Sequence, residues 1–160
     1  MDNLWAPWRI RYISRIKKGK RCIFCSAKAK NAKRGPVFKT RHSVCMLNLF
    51  PYNNGHLMVS PLRHVSQPEL LSDAESLDLF KTMTKAKRLL NKVLKPDGFN
   101  IGINIGRAAG AGIAGHLHIH IVPRWVGDSN FMPVIHNTKI ISQSLEELSR
   151  RLRNAKPSAD

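Results

Sequence analysis

The stretch GHLHIHIVPRW at residues 115–125 places three histidines at alternate positions among aliphatic residues. Successive side chains of a β-strand point to opposite faces, so His116, His118 and His120 would share one face at intervals of about 6.6 Å. The opposite face would carry only aliphatic side chains, as in a strand that packs on a hydrophobic core. Because packing alone does not select three aligned histidines, this strand is the predicted functional centre.

Two chemistries fit this row of histidines. In one, the histidines hold a catalytic metal, since His-x-His on a strand is a common zinc-ligand spacing; acids that would complete such a site are scarce in this half of the chain. In the other, a neutral imidazole, whose ordinary pKa is about 6.5, attacks phosphorus.

The loop at 106–115, just before this strand, contains four glycines. Its small side chains would let backbone N–H groups approach phosphate oxygens, which favours the second chemistry. The loop has neither the spacing of a dinucleotide-binding loop nor the Gly-Lys-Ser/Thr ending of a P-loop, so those two nucleotide-binding classes are excluded.

The other hydrophobic and turn patterns predict an α+β fold, with a meander of antiparallel strands that carries one long helix on a face. The strands at 43–49 and 56–60 are expected to pair as a hairpin, and a capping box at Ser72 and Glu75 is expected to begin the long helix. We predict further strands at 37–39, 99–105 and 117–123, and the alternation of apolar and polar residues in the second of these predicts a half-buried strand. A short final helix is expected to begin at Ser142, with Leu145, Leu148 and Leu152 as its apolar residues.

The charge is unevenly distributed along the chain. The 160 residues include 27 Lys or Arg and 10 Asp or Glu, a formal net charge of +17, and residues 1–41 carry 13 of the basic residues and one acid. We therefore divide a single structural domain into a basic N-terminal segment at 1–41, packed on the domain, and a principal part at 42–160. This charge favours an anionic partner, such as a phosphate-bearing small molecule, nucleic acid or an anionic membrane surface.

Three cysteines, with no recognisable export signal, are typical of a protein in the reducing cytoplasm. The pair Cys22-x-x-Cys25 has the spacing of a metal-binding knuckle, but it supplies only two of four ligands, so histidines elsewhere would have to complete the site. Cys45 lies in an apolar strand and is expected in the core, whereas His42 and His136 are expected at the surface. No apolar run approaches the roughly 20 residues of a membrane span, so no segment is expected to cross a bilayer. Of the anionic partners that the charge allows, a membrane is not the one expected.

The row at 116–122 matches the His-φ-His-φ-His-φ-φ pattern, in which φ is apolar, and the chain thereby resembles the histidine triad superfamily. The segments 47–48, 53–57 and 61–64 look like that family's hairpin and following turn. The opening 4–9 and the segment 123–131 are similar to the branch of diadenosine tetraphosphate phosphorylases and hydrolases, near the fragile histidine triad proteins. The resemblance implies a HIT-like fold and a homodimer whose sheets join across the interface.

The same resemblance implies a covalent mechanism. His118 would attack the α-phosphorus of a nucleotide such as diadenosine tetraphosphate, and water or inorganic phosphate would release the nucleotide from the histidine. His120 would contact the α-phosphate and His56 would orient its neighbours, so the implied catalytic set is His56, His116, His118 and His120. The implied nucleotide-binding residues fall into three groups. Asn48 and Leu49 would contact the ribose and base, and Trp125 would contact the distal polyphosphate or second nucleoside. The phosphate contacts would come from Asn104, Ala111, Gly112 and His120.

A structural zinc ion is also implied by resemblance. Several triad proteins and the related galactose-1-phosphate uridylyltransferases use two cysteines, a histidine after the hairpin and the first triad histidine. Carried onto this chain, the ligands are Cys22, Cys25, His64 and His116, a set that leaves no open position for water.

Three alternatives stay open at this point. A nucleoside phosphoramidate hydrolase of the same superfamily would differ in its leaving group. A basic nucleic-acid-binding module would explain the net charge of +17. A metal-dependent hydrolase would use all three triad histidines as ligands. The acceptor is open as well, because Gly112 stands four residues before His116, where many relatives have Gln or Ser.

Overall fold

A computed structural model describes residues 22–26, 35–128 and 141–155. The strands are β1 (Phe38–Lys39), β2 (Ser43–Leu47), β3 (Leu57–Pro61), β4 (Gly98–Ile103) and β5 (Ile119–Arg124). The α-helices are α1 (Ile23–Ser26), α2 (Asp73–Leu94) and α3 (Leu145–Asn154), and a 3-10 helix covers Pro68–Leu70. The predicted packing of most of segment 1–41 and the predicted surface position of His136 lie outside the described residues.

The five strands form one antiparallel sheet in the order β1-β2-β3-β5-β4, which confirms the predicted α+β class. Strand β5 lies between β3 and β4, so β3 and β4 run parallel and α2 connects them as the crossover of a split β-α-β unit. This insertion brings the histidine-bearing segment next to β3, since Met58 pairs with His120 and Leu57 with Ile121.

The hairpin of β2 and β3 is confirmed, with Cys45 opposite Val59 and Leu47 opposite Leu57. Its turn needs glycine at position 55, where φ is +78° and an added Cβ would lie 2.5 Å from Leu94 Cδ1. The turn therefore packs tightly against the end of α2, and this close approach fixes the position of His56, the next residue.

Helix α2 begins where the sequence predicts. The Ser72 hydroxyl accepts from the Glu75 N–H, and the Glu75 carboxylate accepts from the Ser72 N–H, so the capping box is complete. Arg63 hydrogen-bonds the same carboxylate, and this contact holds the pKa of Glu75 at about 2. The helix ends at Leu94, and its C-cap Lys95 adopts the left-handed conformation with φ +48° before Pro96.

The core lies between α2 and one face of the sheet. It holds the predicted Cys45 together with Ile121 and Leu90, each with no exposed surface. Leu117 and Ile119 also belong to this cluster, so the aliphatic side of the histidine row is the core side, as predicted. Across the described ranges, no helix is both long and apolar enough to cross a bilayer.

The histidine strand begins later than predicted, at Ile119 instead of Leu117. The ladder with β3 covers only Ile119 to Ile121, and the N–H of Leu117 donates to the carbonyl of Val65, which lies outside the sheet. His116 and His118 therefore precede the regular strand and approach a connecting loop.

Strand β4 was expected to be half-buried, and this prediction is wrong for most of its length. Residues 100–103 are exposed, and Ile101 and Ile103 each keep 41% of their surface accessible. They pair with Ile121 and Ile119 and share their face of the sheet, but β4 is an edge strand beyond the cover of α2.

The final helix has Ser144, not Ser142, as its N-cap. The Ser144 hydroxyl accepts from the Glu147 N–H at 3.2 Å, and acidic residues in the first turn favour this start. Leu148 and Leu152 are buried against the core, as the pattern predicts.

Candidate active site and metal-binding group

Four histidines lie buried on the sheet face opposite α2. His56, His116, His118 and His120 keep 0%, 1%, 4% and 8% of their surface accessible. His120 belongs to β5, His56 directly precedes β3, and the pairing of Met58 with His120 brings the two segments side by side. The structure thus brings the predicted catalytic set together.

The short helix α1 covers this face. Phe24 is fully buried, and its ring centroid lies 5.1 Å from that of His116 and 4.9 Å from that of His118. It forms a second apolar cluster with Met46 and Met58, against which Ile113 of the glycine-rich loop packs. The sequence pattern does not identify Phe24 as a site residue, because an apolar residue between two cysteines has no signature of its own.

The His118 ring has a defined orientation. Its Nδ1 lies 2.8 Å from the backbone carbonyl oxygen of His116. A carbonyl oxygen only accepts, so Nδ1 carries the proton and Nε2 of the neutral ring carries the lone pair. Burial lowers the pKa of His118, although the hydrogen bond to His116 opposes this effect. A neutral His118 thus has a nucleophilic nitrogen at Nε2.

His56 lies at the centre of a second network. Its Nδ1 is 3.1 Å from the Tyr52 backbone nitrogen and 3.3 Å from Asn48 Nδ2, and its Nε2 is 2.9 Å from His120 Nδ1. Burial, and then the charges of His120 and His118, lower the pKa of His56 to about 3. The ring is therefore neutral at physiological pH.

The hairpin turn adds an aromatic residue, Tyr52, to the rim of this site. The Tyr52 ring stacks on His120 with centroids 5.6 Å apart and lies 4.6 Å from the His56 centroid. Tyr52 and Phe50 are 50% and 64% exposed. The Pro-Tyr-Asn-Asn-Gly composition of this segment predicts only a turn and indicates no contact with a histidine.

The predicted metal ligands also lie together. Cys22 Sγ, Cys25 Sγ and one ring nitrogen each of His64 and His116 are all within 4.8 Å of one another. His116 Nδ1 is 3.2 Å from Cys22 Sγ and 3.1 Å from His64 Nδ1, and Cys25 Sγ is 3.3 Å from His64 Nδ1. These separations are near the edges of a tetrahedral zinc site, about 3.4 Å between nitrogens and about 3.6 Å between nitrogen and sulfur.

The protonation of His116 suits a metal ligand. Its Nε2 is 2.9 Å from the carbonyl oxygen of Pro61, so Nε2–H donates there and Nδ1 keeps its lone pair toward the cysteines. His118 and His120 turn their Nδ1 atoms to other partners. Among the described residues, the metal-binding group that contains His116 includes no other triad histidine, so the arrangement does not favour a metal-dependent hydrolase built on all three.

The predicted phosphate-side residues lie around the same end of the sheet. The ladder of β4 and β5 ends at the pair of Ile103 and Ile119, and Asn104 and His118 are the next residues beyond that pair. The Ala111 N–H donates to the Gly106 carbonyl at 3.3 Å, whereas Gly112 N–H has no partner among the described residues.

The remaining predicted nucleotide contacts differ in their placement. Asn48 is buried beside His56, and Leu49 is half-buried next to it. Trp125 follows the end of β5, about 16 Å along the strand direction from His120, and its backbone N–H donates to Asp128. The structure brings Asn48 to the histidines and leaves Trp125 at a distance.

Comparison with known proteins gives a consistent result. A family model described as HIT domain matches residues 29–126. AP-4-A phosphorylase of Mycobacterium tuberculosis is 38% identical over 95% of this chain and 83% of that protein. An asymmetrical bis(5'-nucleosyl)-tetraphosphatase of Schizosaccharomyces pombe is 36% identical over 57% of this chain and 50% of its own length. A zinc-bound histidine triad family protein of Mycobacterium smegmatis superposes with a TM-score of 0.66 at 26% identity, over 84% of this chain and 91% of that one.

Proposed function

The chain belongs to the HIT domain, or histidine triad, family, and from this membership we propose that it cleaves dinucleoside polyphosphates such as diadenosine tetraphosphate. The similarity to a relative named AP-4-A phosphorylase, which extends over nearly the whole chain, supports this substrate class. A second relative, named as an asymmetrical tetraphosphatase, cleaves the same class of compound. The chain is accordingly an enzyme of the histidine triad type.

His118 is the proposed nucleophile, and its hydrogen bond to the His116 carbonyl is the observation that carries this assignment. The lone pair of Nε2 forms an N–P bond to the α-phosphorus, and the bond from that phosphorus to the leaving nucleotide's bridging oxygen breaks. In the second step an oxygen of water or inorganic phosphate attacks the phosphorus. The P–N bond then breaks and its electron pair returns to Nε2, while the proton of an attacking water goes to solvent.

Two groups are proposed to stabilise the charge that develops on the α-phosphate. His120 lies next to His118, with ring centroids 4.8 Å apart, and it would donate a hydrogen bond to a phosphate oxygen. The Gly112 N–H is a suitable second donor, since the neighbouring N–H of Ala111 already bonds to Gly106. Preorganised donors of this kind are among the largest contributors to catalysis of phosphoryl and acyl transfer.

We propose zinc as the metal held by Cys22, Cys25, His64 and His116. Two thiolates and two imidazoles in close tetrahedral spacing are a donor set typical of structural zinc, and four protein ligands leave no position for a catalytic water. The ion would tie α1 to the loop that carries His64 and to the start of the histidine row. Its role is thus to hold Phe24 and His116 in place beside His118.

Two properties of the whole protein are also proposed. The exposed edge strand β4, with Ile101 and Ile103 open to solvent, supports a homodimer in which two sheets join. No disulfide joins Cys22, Cys25 and Cys45, which supports a reducing, cytoplasmic location.

Turnover of diadenosine tetraphosphate with and without inorganic phosphate tests this function. ATP and ADP formed only with phosphate identify a phosphorylase, and ATP and AMP formed in water identify an asymmetrical hydrolase. Adenosine phosphoramidate in a parallel assay tests the related activity that shares the nucleophile. Lack of cleavage under both conditions, or full activity in His118→Ala, would refute the proposal.

A further inference from the structure

We infer that Asn48 and the backbone N–H of Tyr52 are positioning groups that set the tautomers of His56 and His120, so that His120 presents Nε2–H to the substrate. The catalytic consequence of this inference rests on the proposed function, because the Nε2–H of His120 contributes to catalysis only if a phosphate oxygen of the substrate accepts its hydrogen bond. The tautomers themselves follow from hydrogen-bond geometry and are measurable without any nucleotide. The resemblance to the histidine triad family implies a different role for Asn48, a contact with the ribose.

The first step determines the orientation of the Asn48 side-chain amide. Its Oδ1 lies 2.9 Å from the backbone nitrogen of Phe50, and because a backbone N–H only donates, the oxygen must face it. Nδ2, the donor end of the amide, therefore faces His56 Nδ1 at 3.3 Å. Asn48 keeps only 9% of its surface accessible, so this orientation is held within the fold.

The second step fixes His56. Its Nδ1 faces the Asn48 amide and the Tyr52 backbone N–H, which lies 3.1 Å away. Two donors require an acceptor, so Nδ1 carries the lone pair and the proton of the neutral ring resides on Nε2. The lowered pKa of His56 agrees with this assignment, because it excludes the doubly protonated ring at neutral pH.

The third step determines which ring nitrogen of His120 carries the proton. Nε2–H of His56 donates to His120 Nδ1 at 2.9 Å, so Nδ1 of His120 is an acceptor and its proton lies on Nε2. The stacked ring of Tyr52 covers both imidazoles and limits their rotation. His118 has the opposite tautomer, with its proton on Nδ1. Two histidines of one strand segment are thereby prepared for different tasks, His118 as nucleophile and His120 as hydrogen-bond donor.

Ring nitrogen NMR of the purified protein tests the tautomers directly. Spectra without nucleotide, at about pH 8 and thus above the ordinary imidazole pKa of about 6.5, should assign Nε2–H to His56 and His120 and Nδ1–H to His118. In Asn48→Asp a carboxylate replaces the amide donor, and its charge-assisted hydrogen bond should outweigh the Tyr52 N–H. His56 should then place its proton on Nδ1, and His120 should lose its proton from Nε2. Asn91→Asp, which adds the same charge to an exposed position of α2, should change neither ring.

Asn48→Ala separates the positioning role from a ribose contact. It leaves the Tyr52 N–H as the remaining donor to His56, so both tautomers should persist, whereas Asn48→Asp should reverse the His120 tautomer and lower kcat by about 10²-fold, as for the loss of one preorganised donor. A His120 ring with its proton on Nδ1 in the unmodified protein, or an unchanged His120 in Asn48→Asp, overturns the inference. Nε2–H on His120 in a protein that cleaves no dinucleoside polyphosphate would instead refute only the proposed function.

Discussion

The Nδ1 atom of His118 donates to the backbone carbonyl oxygen of His116 at 2.8 Å, while the ring of His116 belongs to the Cys/His metal-binding group. One residue thus joins the two sites, through its side chain to the metal-binding group and through its carbonyl to the proposed nucleophile. Any change that moves His116 should change the orientation of His118 as well.

Metal removal is the first prediction that follows from this connection. The purified protein should hold about one zinc ion per chain, and chelation should lower both Tm and activity because it releases α1 and His116. A ligand present at about 100 times its Kd stabilises a fold by about 2.7 kcal/mol, which corresponds to a fall in Tm of about 5–10 °C for a chain of this size. Elemental analysis and thermal unfolding measure the two effects.

Cysteine variants supply the control for metal binding. Cys22→Ser should lose the metal, whereas Cys45→Ala, which removes a buried thiol from the core, should lose stability but keep one zinc ion per chain. Full zinc occupancy in Cys22→Ser would contradict the ligand assignment.

The second prediction concerns the covalent intermediate. A substrate labelled at the α-phosphate should label the protein on His118, through a P–N bond that is labile in acid and stable in alkali. His118→Ala should take up no label and should lose at least about 10³-fold in kcat, as variants that lack a nucleophile do. His42→Ala lies outside the histidine cluster, where its backbone N–H contacts Asp78, and it should be labelled normally. Undiminished labelling of His118→Ala would refute the assignment.

Local signals explain which parts of the fold the sequence predicts well. The hairpin of β2 and β3, the capping box at Ser72 and the two faces of the histidine row each depend on residues close together in the chain. The exposure of β4 is predicted less well, because the edge position of Ile101 depends on the order of strands in the sheet. The start of α3 is also predicted less well, because Ser142 and Ser144 are both suitable N-cap residues and the sequence does not choose between them.

The candidate site shows the same division. The regular spacing of the triad histidines makes them visible in the sequence, and the resemblance supplied His64 as the partner of Cys22 and Cys25. The contacts of Phe24 with His118 and of Tyr52 with His120 join positions 94 and 68 residues apart, so no local pattern indicates them.

The basic residues are concentrated in the N-terminal segment at 1–41. Segment 1–41 carries 13 of the 27 basic residues, and the described residues include only part of it. A basic surface would raise the local concentration of a polyphosphate substrate, and binding of nucleic acid by this segment stays an open alternative that the histidine triad does not favour.

The third prediction is a loss of stability in acid that depends on His56. The pKa of His56 is about 3 in the folded protein and about 6.5 in an unfolded chain. Between these values the unfolded state binds a proton that the folded state excludes. The free energy of unfolding should therefore fall as pH falls below about 6.5, by up to about 1.4 kcal/mol per pH unit.

Urea unfolding of the unmodified protein and of His56→Gln between about pH 7.5 and pH 4.5 measures this contribution. In the variant, the free energy of unfolding should change less steeply with pH, by the equivalent of about one proton or about 1.4 kcal/mol per pH unit. Its free energy of unfolding at neutral pH should also be lower. Metal release in acid is common to both proteins and cancels in the comparison. Equal slopes would show that burial of neutral His56 does not contribute.

The fourth prediction concerns the edge strand. Sedimentation or light scattering should give about twice the chain mass of 18.1 kDa. Among the described residues β4 has a neighbouring strand on one side only, and Ile101 and Ile103 are exposed on it. Ile101→Lys should place like charges near one another across a two-fold interface and shift the protein toward monomer by at least about tenfold in Kd, which corresponds to about 1.4 kcal/mol. Val126→Lys changes an apolar residue that is 93% exposed and lies outside β4, so it should leave the dimer intact. A monomer at micromolar concentration, or equal dissociation of both variants, would exclude this edge as the interface.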